Sequence, residues 1–446
     1  MRRLLITNAR LINEGAIRDA DVLIKGERIE KIGRSIAATD NAEVLDAAGL
    51  YLLPGMIDDQ VHFREPGLTE KGDIATESAA AVAGGVTSFM DMPNVSPQTT
   101  TREALADKYR AAHGRARANY AFYLGATNRN IDEIRALCID EGCGIKVFMG
   151  ASTGDMLVDD SDALEKIFAD APVIVVTHCE HSPTIRGNEA RAKAEFGADV
   201  PMSEHPKIRS AAACLASSSM AVDLARRHGA RLHVLHLTTA LEMGLFSRAS
   251  RHDKNITAEV CVHHLWFDES RYDDLGTRIK CNPAIKTAKD REALIAAVND
   301  GRIDIIATDH APHTASEKNR TYFKAPAGLP LVQHALQTLF DLAKEGQIGL
   351  ETIVDRTSHA VADVFGVIDR GYVREGYFAD LVLVDANRPY TVTPANLLYK
   401  VHWSPFEGHT FSSTIDTTVV NGNIAFRRGQ LATEVAGQRL HFNRGR

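Results

Sequence analysis

Side chains that can bind a divalent metal ion recur at the ends of separate apolar runs in this 446-residue sequence. His62, His178 and His236 each close or follow such a run, and Asp309 follows the last of them. Three histidines and an aspartate suit zinc or another borderline ion, because nitrogen ligands disfavour calcium and magnesium. Each residue alone has an ordinary structural explanation, such as a rim histidine or a helix-capping aspartate. Their shared position at the ends of different runs predicts a metal site.

Lys146 lies inside the apolar run GIKVFMG. An ammonium group in such a strand is costly unless it is neutralised or paired, although a rim position is the ordinary alternative. A carbamate formed with carbon dioxide would convert this lysine into an anionic ligand with two oxygens that bridges two metal ions. The ions would lower the pKa of a bridging water towards ~7. Asp309 would hold one ion and carry the proton from that water to the leaving nitrogen.

A second group of residues is placed to contact a substrate. Arg64 follows the first apolar run and can grip a carboxylate through two parallel hydrogen bonds. Further donors, acceptors and backbone groups come from the loops at the ends of other runs, where a purely structural role is an equal alternative. These residues are Asn94, Asn282, His313, Ala327 and Gly328.

Eight apolar, strand-like runs divide the middle of the chain, and most are separated by segments with helical spacing. Strands alternating with helices in this way predict a (β/α)8 barrel, which we assign to residues 54–372. Barrel enzymes hold their sites at the C-terminal ends of the strands, so the candidate residues should converge there. The runs are residues 56–61, 85–92, 119–125, 144–149, 173–177, 231–236, 256–261 and 303–308.

The segments between the runs have their own expected structures. Residues 182–210 are polar and rich in arginine and glutamate, and we expect them to form a loop at the barrel mouth. Helices are expected at residues 77–82, 102–113, 131–138, 211–227, 240–249 and 290–298.

Both ends of the chain have a different texture from the middle. Residues 1–53 and 373–446 contain alternating, strand-like segments punctuated by turn residues. Asn421-Gly422 between two such segments is a strong hairpin signal. We therefore predict an α/β fold in which a composite β-domain, built from both termini, accompanies the barrel.

Composition restricts the class of protein. The net charge of -7 provides no basic field for nucleic acid or anionic lipid. The apolar runs fall short of the ~18 residues that a membrane span needs. Six cysteines without CxxC or zinc-finger spacing are expected to be buried thiols in a reducing compartment. We expect a cytoplasmic protein with a small-molecule substrate.

With these residues in place, the sequence resembles the dihydroorotases of the amidohydrolase superfamily, which belong to its cyclic amidohydrolase group. The resemblance spans nearly the whole chain. It implies a zinc enzyme that reversibly cyclises N-carbamoyl-L-aspartate to L-dihydroorotate in pyrimidine synthesis. The motifs that carry it are PGMIDDQVHFREPG, AGGVTSFMDMPNVSP, GIKVFMG, THCE, LHVLHLTT, TAEVCVHHL, KCNPAIK and ATDHAPH.

The resemblance also assigns roles to individual residues. It gives metal roles to the five residues His62, Lys146, His178, His236 and Asp309, with Lys146 at the position of the carbamylated lysine. It implies contacts of Arg64, Asn94 and His313 with the substrate carboxylate. Residues 151–155 fall where some members have a loop that closes over the substrate. A homodimer is the common assembly of the family.

One residue departs from the family pattern. The family's first metal motif is histidine, any residue, histidine, and here Gln60 occupies the first position. An amide oxygen is a poorer zinc ligand than imidazole, so we expect one or two zinc ions per chain. Some relatives hold a further ion with a cysteine beside the strand-six histidine. This chain has Leu235 there, so that site is not predicted even though Glu259 is present.

Two other functions compete with this interpretation. Another cyclic amide, such as a hydantoin or a dihydropyrimidine, could be the substrate, although such compounds lack the carboxylate that Arg64 would bind. Alternatively, the chain could be an inactive dihydroorotase-like scaffold for aspartate transcarbamoylase, and Gln60 is the kind of change expected in one.

Overall fold

The computed structural model describes residues 2–38, 41–150, 156–434 and 437–443. The strands in chain order are β1 (Arg3–Asn13), β2 (Ala16–Lys25), β3 (Arg28–Gly33), β4 (Ala42–Asp46), β5 (Tyr51–Pro54), β6 (Met56–Val61), β7 (Val86–Asp91), β8 (Asn119–Phe122), β9 (Leu124–Gly125), β10 (Ile145–Phe148), β11 (Val175–His178), β12 (Leu232–Val234), β13 (Ile256–Cys261), β14 (Ile305–Ala307), β15 (Leu381–Asp385), β16 (Tyr390–Thr391), β17 (Thr410–Phe411), β18 (Thr414–Val420), β19 (Asn423–Arg427) and β20 (Gln430–Leu431).

The α-helices are α1 (Ile74–Ala83), α2 (Arg102–Ala112), α3 (Ile131–Arg135), α4 (Ser161–Asp170), α5 (Ser182–Phe196), α6 (His205–Ile208), α7 (Ala211–His228), α8 (Val262–Trp266), α9 (Tyr272–Leu275), α10 (Ala288–Asp300), α11 (Ala315–Lys318), α12 (Ala335–Lys344), α13 (Leu350–Val354) and α14 (Ala360–Phe365). A π-helical turn, Asp355–His359, joins α13 to α14. Within the described residues, no helix combines the length and apolarity that crossing a bilayer requires.

The predicted barrel is confirmed. Parallel strands β6–β7–β8 and β9–β14 form two sheets, and Tyr123 alone separates β8 from β9, so these two share one of the eight positions. A parallel bridge between Val61 and His310 brings the first and last strands together. The barrel strands are buried almost throughout, because helices cover their outer faces. This burial explains why they appear as continuous apolar runs rather than alternating ones.

Strands from both termini join in one sheet, as predicted. The order is β20-β19-β18-β15-β5-β1-β2-β3, with β4 paired to β1. Strand β5 connects the two ends of the chain, since it pairs parallel with β1 and antiparallel with β15. The Asn421-Gly422 turn between β18 and β19 has positive φ at both residues, as a two-residue hairpin requires. The exact domain boundaries stay a prediction.

Two local predictions are wrong. Residues 240–249 form only a short 3-10 turn, Leu241–Leu245, because Gly244 weakens the helix and Glu242 turns inward to bond Ser218 and Thr239. Residues 182–210 are largely helical rather than a loop, since they contain α5 and α6.

The cysteine prediction holds for five residues and fails for one. All six cysteines are free thiols, and Cys138 is exposed while the others are buried. Cys138 follows the short helix α3 in a polar segment, where Glu141 accepts its backbone N–H.

Candidate active site

A cavity of about 280 Å³ opens where the barrel strands end. Gln60, Phe148, Arg209, Ala311 and Pro326 form part of its wall. The structure therefore brings the sequence-derived candidates to one place, while their chemical roles stay predictions. All eleven of those candidates line the cavity: His62, Arg64, Asn94, Lys146, His178, His236, Asn282, Asp309, His313, Ala327 and Gly328.

Three of these residues have a left-handed backbone. The φ angles are 70° at Arg64, 38° at His236 and 49° at Asp309. Residues with a side chain adopt such angles at a cost of about 1–3 kcal/mol each, and the cost persists only where the surroundings enforce it. The ends of three barrel strands thus turn sharply to direct an arginine, a histidine and an aspartate into the cavity.

On one side of the cavity, His178 and His236 meet beside Lys146; we call these three residues the lysine side. His178 Nδ1 lies 2.9 Å from His236 Nε2. His178 Nε2 lies 3.0 Å from Glu180 Oε2 and donates its proton there, so Nδ1 keeps a lone pair, which is directed at His236 Nε2. Burial would raise the pKa of Glu180, but Arg209 and His178 lower it to about 2.

The lysine side suits a metal ion. Burial lowers the pKa of both histidines, which keeps the imidazoles neutral as metal ligands must be. His236 Nδ1 is buried and has no hydrogen-bond partner among the described residues. In metal-binding histidines, the nitrogen that does not bind the metal usually donates a hydrogen bond to a carboxylate, as His178 Nε2 does to Glu180.

Lys146 completes the lysine side from β10. Its side chain is buried, and burial lowers its pKa to about 8. The ammonium lies 4.7 Å from the ring centroid of Phe148 and forms no ion pair within the described ranges. A cation in this position is poorly compensated, which agrees with the sequence-based expectation that it is neutralised or modified.

On the other side, Gln60 and His62 both approach Asp309; we call these three residues the aspartate side. Gln60 Nε2 donates to Asp309 Oδ1 at 3.0 Å, and His62 Nε2 lies 3.1 Å from the same oxygen. His62 Nδ1 is 2.8 Å from Asn94 Oδ1, which accepts its proton. Burial would raise the pKa of Asp309, but its contact with His62 and the nearby His263 and Lys146 together hold that pKa below its usual value.

The aspartate side suits a metal ion less well. His62 Nε2 and the Asp309 carboxylate converge as two potential ligands. Gln60, however, directs its N–H donors rather than its oxygen towards Asp309, and its oxygen faces the Cys261 thiol at 3.8 Å. An amide N–H cannot ligate a cation, so Gln60 contributes no ligand in this orientation.

Arg64 and His313 form the wall beyond the aspartate side. Arg64 Nε donates to the Pro312 carbonyl at 3.0 Å, and Arg64 Nη2 lies 3.1 Å from His313 Nε2. Within the described residues Arg64 has no carboxylate partner, whereas Arg209 is paired with Glu180. Burial lowers the pKa of Arg64 to about 10, so the guanidinium stays charged at neutral pH. Burial and Arg64 lower the pKa of His313 to about 3, so this histidine is neutral.

Comparison with known proteins gives the family. A profile of the amidohydrolase family matches residues 51–425, which is most of the chain. The chain belongs to the amidohydrolase family. It is 35% identical to the dihydroorotase of Halobacterium salinarum over 413 residues, a match that covers 90% of this chain and 92% of that protein.

Solved structures extend the comparison to the whole fold of this amidohydrolase. The L-hydantoinase (dihydropyrimidinase) from Arthrobacter aurescens is similar with a TM-score of 0.93 and 25% identity, covering 99% of this chain and 100% of that one. The dihydropyrimidinase from Brevibacillus agri has a TM-score of 0.90 and 27% identity, also over 99% and 100%. The sequence relative is thus named dihydroorotase, whereas the solved structures with the same fold as this chain are named hydantoinase or dihydropyrimidinase.

Backbone and amide groups line another part of the amidohydrolase cavity, next to His313. Asn282 Oδ1 is buried without a hydrogen-bond partner in the described structure, so it can accept a proton from a ligand. Gly328 has a φ of 140°, and a Cβ there would lie 2.4 Å from the Ala311 carbonyl oxygen. Only glycine allows this loop to pack so closely against the backbone at Ala311, which also lines the cavity. The Ala327 carbonyl lies 3.1 Å from His313 Nε2.

Sequence reasoning missed Arg209 and Glu180 in this amidohydrolase. Arg209 ends the inserted segment before α7 and reaches the cavity through its ion pair with Glu180, which no spacing rule indicates. Glu180 could have been found, because it follows His178 by two residues in THCE and therefore points to the same face. The predicted mobile loop, residues 151–155, lies outside the described residues.

Proposed function

We propose that this amidohydrolase is a dihydroorotase, which interconverts L-dihydroorotate and N-carbamoyl-L-aspartate in the third step of de novo pyrimidine synthesis. The observation that supports it most is the buried Arg64 guanidinium, which forms no ion pair with a carboxylate of the described residues and lies beside a histidine-rich site. Dihydroorotate carries a carboxylate on its ring, and a buried guanidinium without a carboxylate partner favours such a ligand. The name of the sequence relatives, dihydroorotase, agrees with this choice.

The cavity residues would orient the substrate by their chemistry. Arg64 would bind the carboxylate with two hydrogen bonds, and the Asn94 amide and neutral His313 would add weaker contacts. The Asn282 carbonyl oxygen would accept a ring N–H, since it has no partner within the described residues. Ala327 and Gly328 would contact the flat ring through backbone groups. The ring amide would then face Asp309 and the two sides of the metal site.

Zinc is the cofactor that we propose. His178, His236 and a Lys146 carbamate would hold one ion, and His62 with Asp309 would hold a weaker second one on the aspartate side. Bound ions of this kind supply water activation near neutral pH and polarise the amide carbonyl. The lowered pKa of Lys146 leaves part of the amine neutral near pH 7, and a neutral amine is the form that combines with carbon dioxide.

Asp309 would act as the proton carrier. Its pKa lies below the usual value, so the carboxylate is ionised and can accept a proton from the attacking water. It would then deliver that proton to the ring nitrogen as the carbon–nitrogen bond breaks. In the reverse direction Asp309 would take the proton from the ureido nitrogen as that nitrogen attacks the carboxyl carbon.

A hydantoinase or dihydropyrimidinase activity is the second candidate. The solved structures named for these activities match 99% of the chain, which favours a cyclic amide substrate in general. Hydantoin and dihydrouracil carry no ring carboxylate, so they would leave the Arg64 charge unpaired in a buried wall. That cost is the reason for ranking this activity lower.

An inactive scaffold bound to aspartate transcarbamoylase is the third candidate. The Gln60 amide, which donates to Asp309 where a ligand is needed, favours it. The converging histidines of the lysine side count against it, because a scaffold has no need for two buried imidazoles that meet at a cavity, one of them with a nitrogen, His236 Nδ1, that has no partner among the described residues. We further propose a cytoplasmic homodimer.

A comparison of the turnover of two substrates, one with a ring carboxylate and one without, tests the proposal. The zinc-loaded chain is assayed with L-dihydroorotate and with 5,6-dihydrouracil under the same conditions. The proposal expects hydrolysis of dihydroorotate and a kcat/KM for dihydrouracil that is lower by about 10- to 100-fold, since Arg64 is worth roughly 1.5–3 kcal/mol to the carboxylate. Turnover of dihydrouracil without turnover of dihydroorotate would establish the second candidate instead.

A further inference from the structure

Three buried ionisable side chains meet inside the barrel, outside the wall of the cavity. They are Asp59 on β6, His233 on β12 and Glu259 on β13. His233 Nε2 lies 3.4 Å from Asp59 Oδ2 and 3.6 Å from Glu259 Oε2, and all three side chains have no solvent exposure. Phe365 packs against the His233 ring with centroids 5.7 Å apart. We call this group the interior cluster.

The hydrogen bonds around His233 fix where its lone pair points. The Thr257 hydroxyl donates to the Leu232 carbonyl at 3.3 Å, so its oxygen must accept from His233 Nδ1 at 2.8 Å. His233 Nδ1 therefore carries a proton. In a neutral imidazole, Nε2 would then direct a lone pair at two carboxylates. Positive charge must therefore lie between these three groups, either as a proton on Nε2 or as a bound cation.

The two carboxylates of the interior cluster also need positive charge beside them. Both oxygens of Asp59 and Glu259 Oε2 are buried without a hydrogen-bond partner among the residues described. No lysine or arginine of the described chain forms an ion pair with either of them. An ionised carboxylate with two unpartnered oxygens in a dry interior is very costly, so the cluster needs a cation or protons.

The distances favour a cation. Separations of 3.4 and 3.6 Å exceed the 2.7–3.2 Å typical of an N–H···O hydrogen bond, so a proton on Nε2 would be poorly bonded to both oxygens. Ligand atoms ~2.0–2.1 Å from a tetrahedral ion lie roughly 3.4 Å apart, which is close to both values. The three donor atoms also lie within 4.8 Å of one another.

We propose that Asp59, His233 and Glu259 bind a divalent transition-metal ion, zinc or a similar one, inside the barrel. One imidazole nitrogen and two carboxylate oxygens form a ligand set of the kind that such ions accept. None of the three residues lines the cavity, and the set contains no cysteine. The inference does not depend on the proposed activity.

An ion here would stabilise the barrel and, through Glu259, help to hold the backbone of His236 in the active site. It would connect β6 to β12 and β13 across the interior. Glu259 uses its other oxygen, Oε1, to accept the backbone N–H of His236 at 3.0 Å. The ion would thus hold the carboxylate that fixes the strained backbone of His236, which makes Glu259 a positioning residue for the lysine side.

Location of the ion by anomalous diffraction tests the proposal directly. Crystals of the full chain, loaded with zinc chloride and freed of excess metal, are measured on both sides of the zinc absorption edge. The proposal expects an anomalous peak between the three side chains in addition to any peak in the cavity. Zinc in the cavity with no peak in the interior cluster would overturn it, and a proton would then hold the cluster together.

Zinc counting on variants provides a second test. Asp59→Asn and Glu259→Gln should each bind one zinc per chain fewer than the unmodified protein. Asp58→Asn is the matched control, because Asp58 is its buried neighbour on β6 but accepts hydrogen bonds from Thr308 at 2.6 and 3.2 Å. Equal zinc content in all four proteins would contradict the proposal. If the variants do not fold, the anomalous map of the unmodified chain decides alone.

Discussion

The lysine side and the aspartate side of the cavity are built from similar residues but are prepared differently for a metal ion. On the lysine side, Glu180 accepts the proton of His178 Nε2, and His178 Nδ1 lies 2.9 Å from His236 Nε2 with no amide or other side-chain donor between them and the cavity. On the aspartate side, the Gln60 amide already occupies the Asp309 oxygen that a metal would need. The difference between the two sides therefore predicts that Gln60 weakens metal binding on the aspartate side and leaves the lysine side unaffected.

Loss of the Asp309 carboxylate should have the largest effect. Asp309→Ala removes the proposed proton carrier, and we expect kcat for dihydroorotate to fall by about 10²–10⁴-fold with folding preserved. Steady-state kinetics and a thermal melt measure the two quantities. Asp132→Asn, at an exposed position on α3, is the control. Near-normal turnover in Asp309→Ala would remove the aspartate side from the mechanism.

Substitution of Arg64 should separate substrate binding from metal chemistry on either side. Arg64→Met removes a charged hydrogen-bonding partner worth roughly 1.5–3 kcal/mol, so KM for dihydroorotate should rise about 10- to 100-fold. Zinc content and kcat should change little. A fall in kcat at constant KM would mean that Arg64 does not bind the carboxylate.

Disruption of Glu180 should weaken the lysine side selectively. Glu180→Gln removes the charge that fixes His178 and leaves Arg209 unpaired, and we expect zinc affinity to fall about 10- to 100-fold. Competition with a chelator of known affinity measures the change. Glu165→Gln, at an exposed ion pair with Arg227, controls for loss of a carboxylate. Unchanged affinity would show that the lysine side does not hold the tighter ion.

A histidine at position 60 should have the smallest effect on activity of the four substitutions. It tests most directly whether Gln60 causes the difference in metal binding between the two sides. Gln60→His replaces an amide donor by an imidazole, so the aspartate side should gain zinc affinity and the chain should hold one more zinc. We expect kcat to change only a few-fold, since the lysine side should bind its ion without help from residue 60. Metal analysis of both proteins after identical dialysis measures the gain; equal zinc content would show that Gln60 does not limit the aspartate side.

The sequence predicted most of this architecture because the barrel strands are buried on both faces. Continuous apolar runs marked each strand, and polar residues at or near the ends of most runs marked the mouth, as His178 and Asp309 illustrate. The short turn at Leu241–Leu245 could not be foreseen, because the burial of Glu242 depends on Ser218 in another element.

The remaining features of the sites depend on contacts between distant segments. Arg209 is near Glu180 only because α5 and α6 fold back over the mouth. The orientation of the Gln60 amide depends on Asp309 and Cys261, more than 200 residues away along the chain. The interior cluster likewise joins three strands, and nothing in the local pattern around Asp59 distinguishes it from Asp58.

Metal content measured together with activity tests the central claim most directly. Protein purified without chelator is analysed for zinc per chain, and the same sample is assayed for dihydroorotate hydrolysis before and after metal removal and zinc addition. The account predicts bound zinc, hydrolysis that disappears on metal removal, and recovery on zinc addition. A chain with no bound metal and no hydrolysis, even after zinc is added, would contradict the account and favour the scaffold.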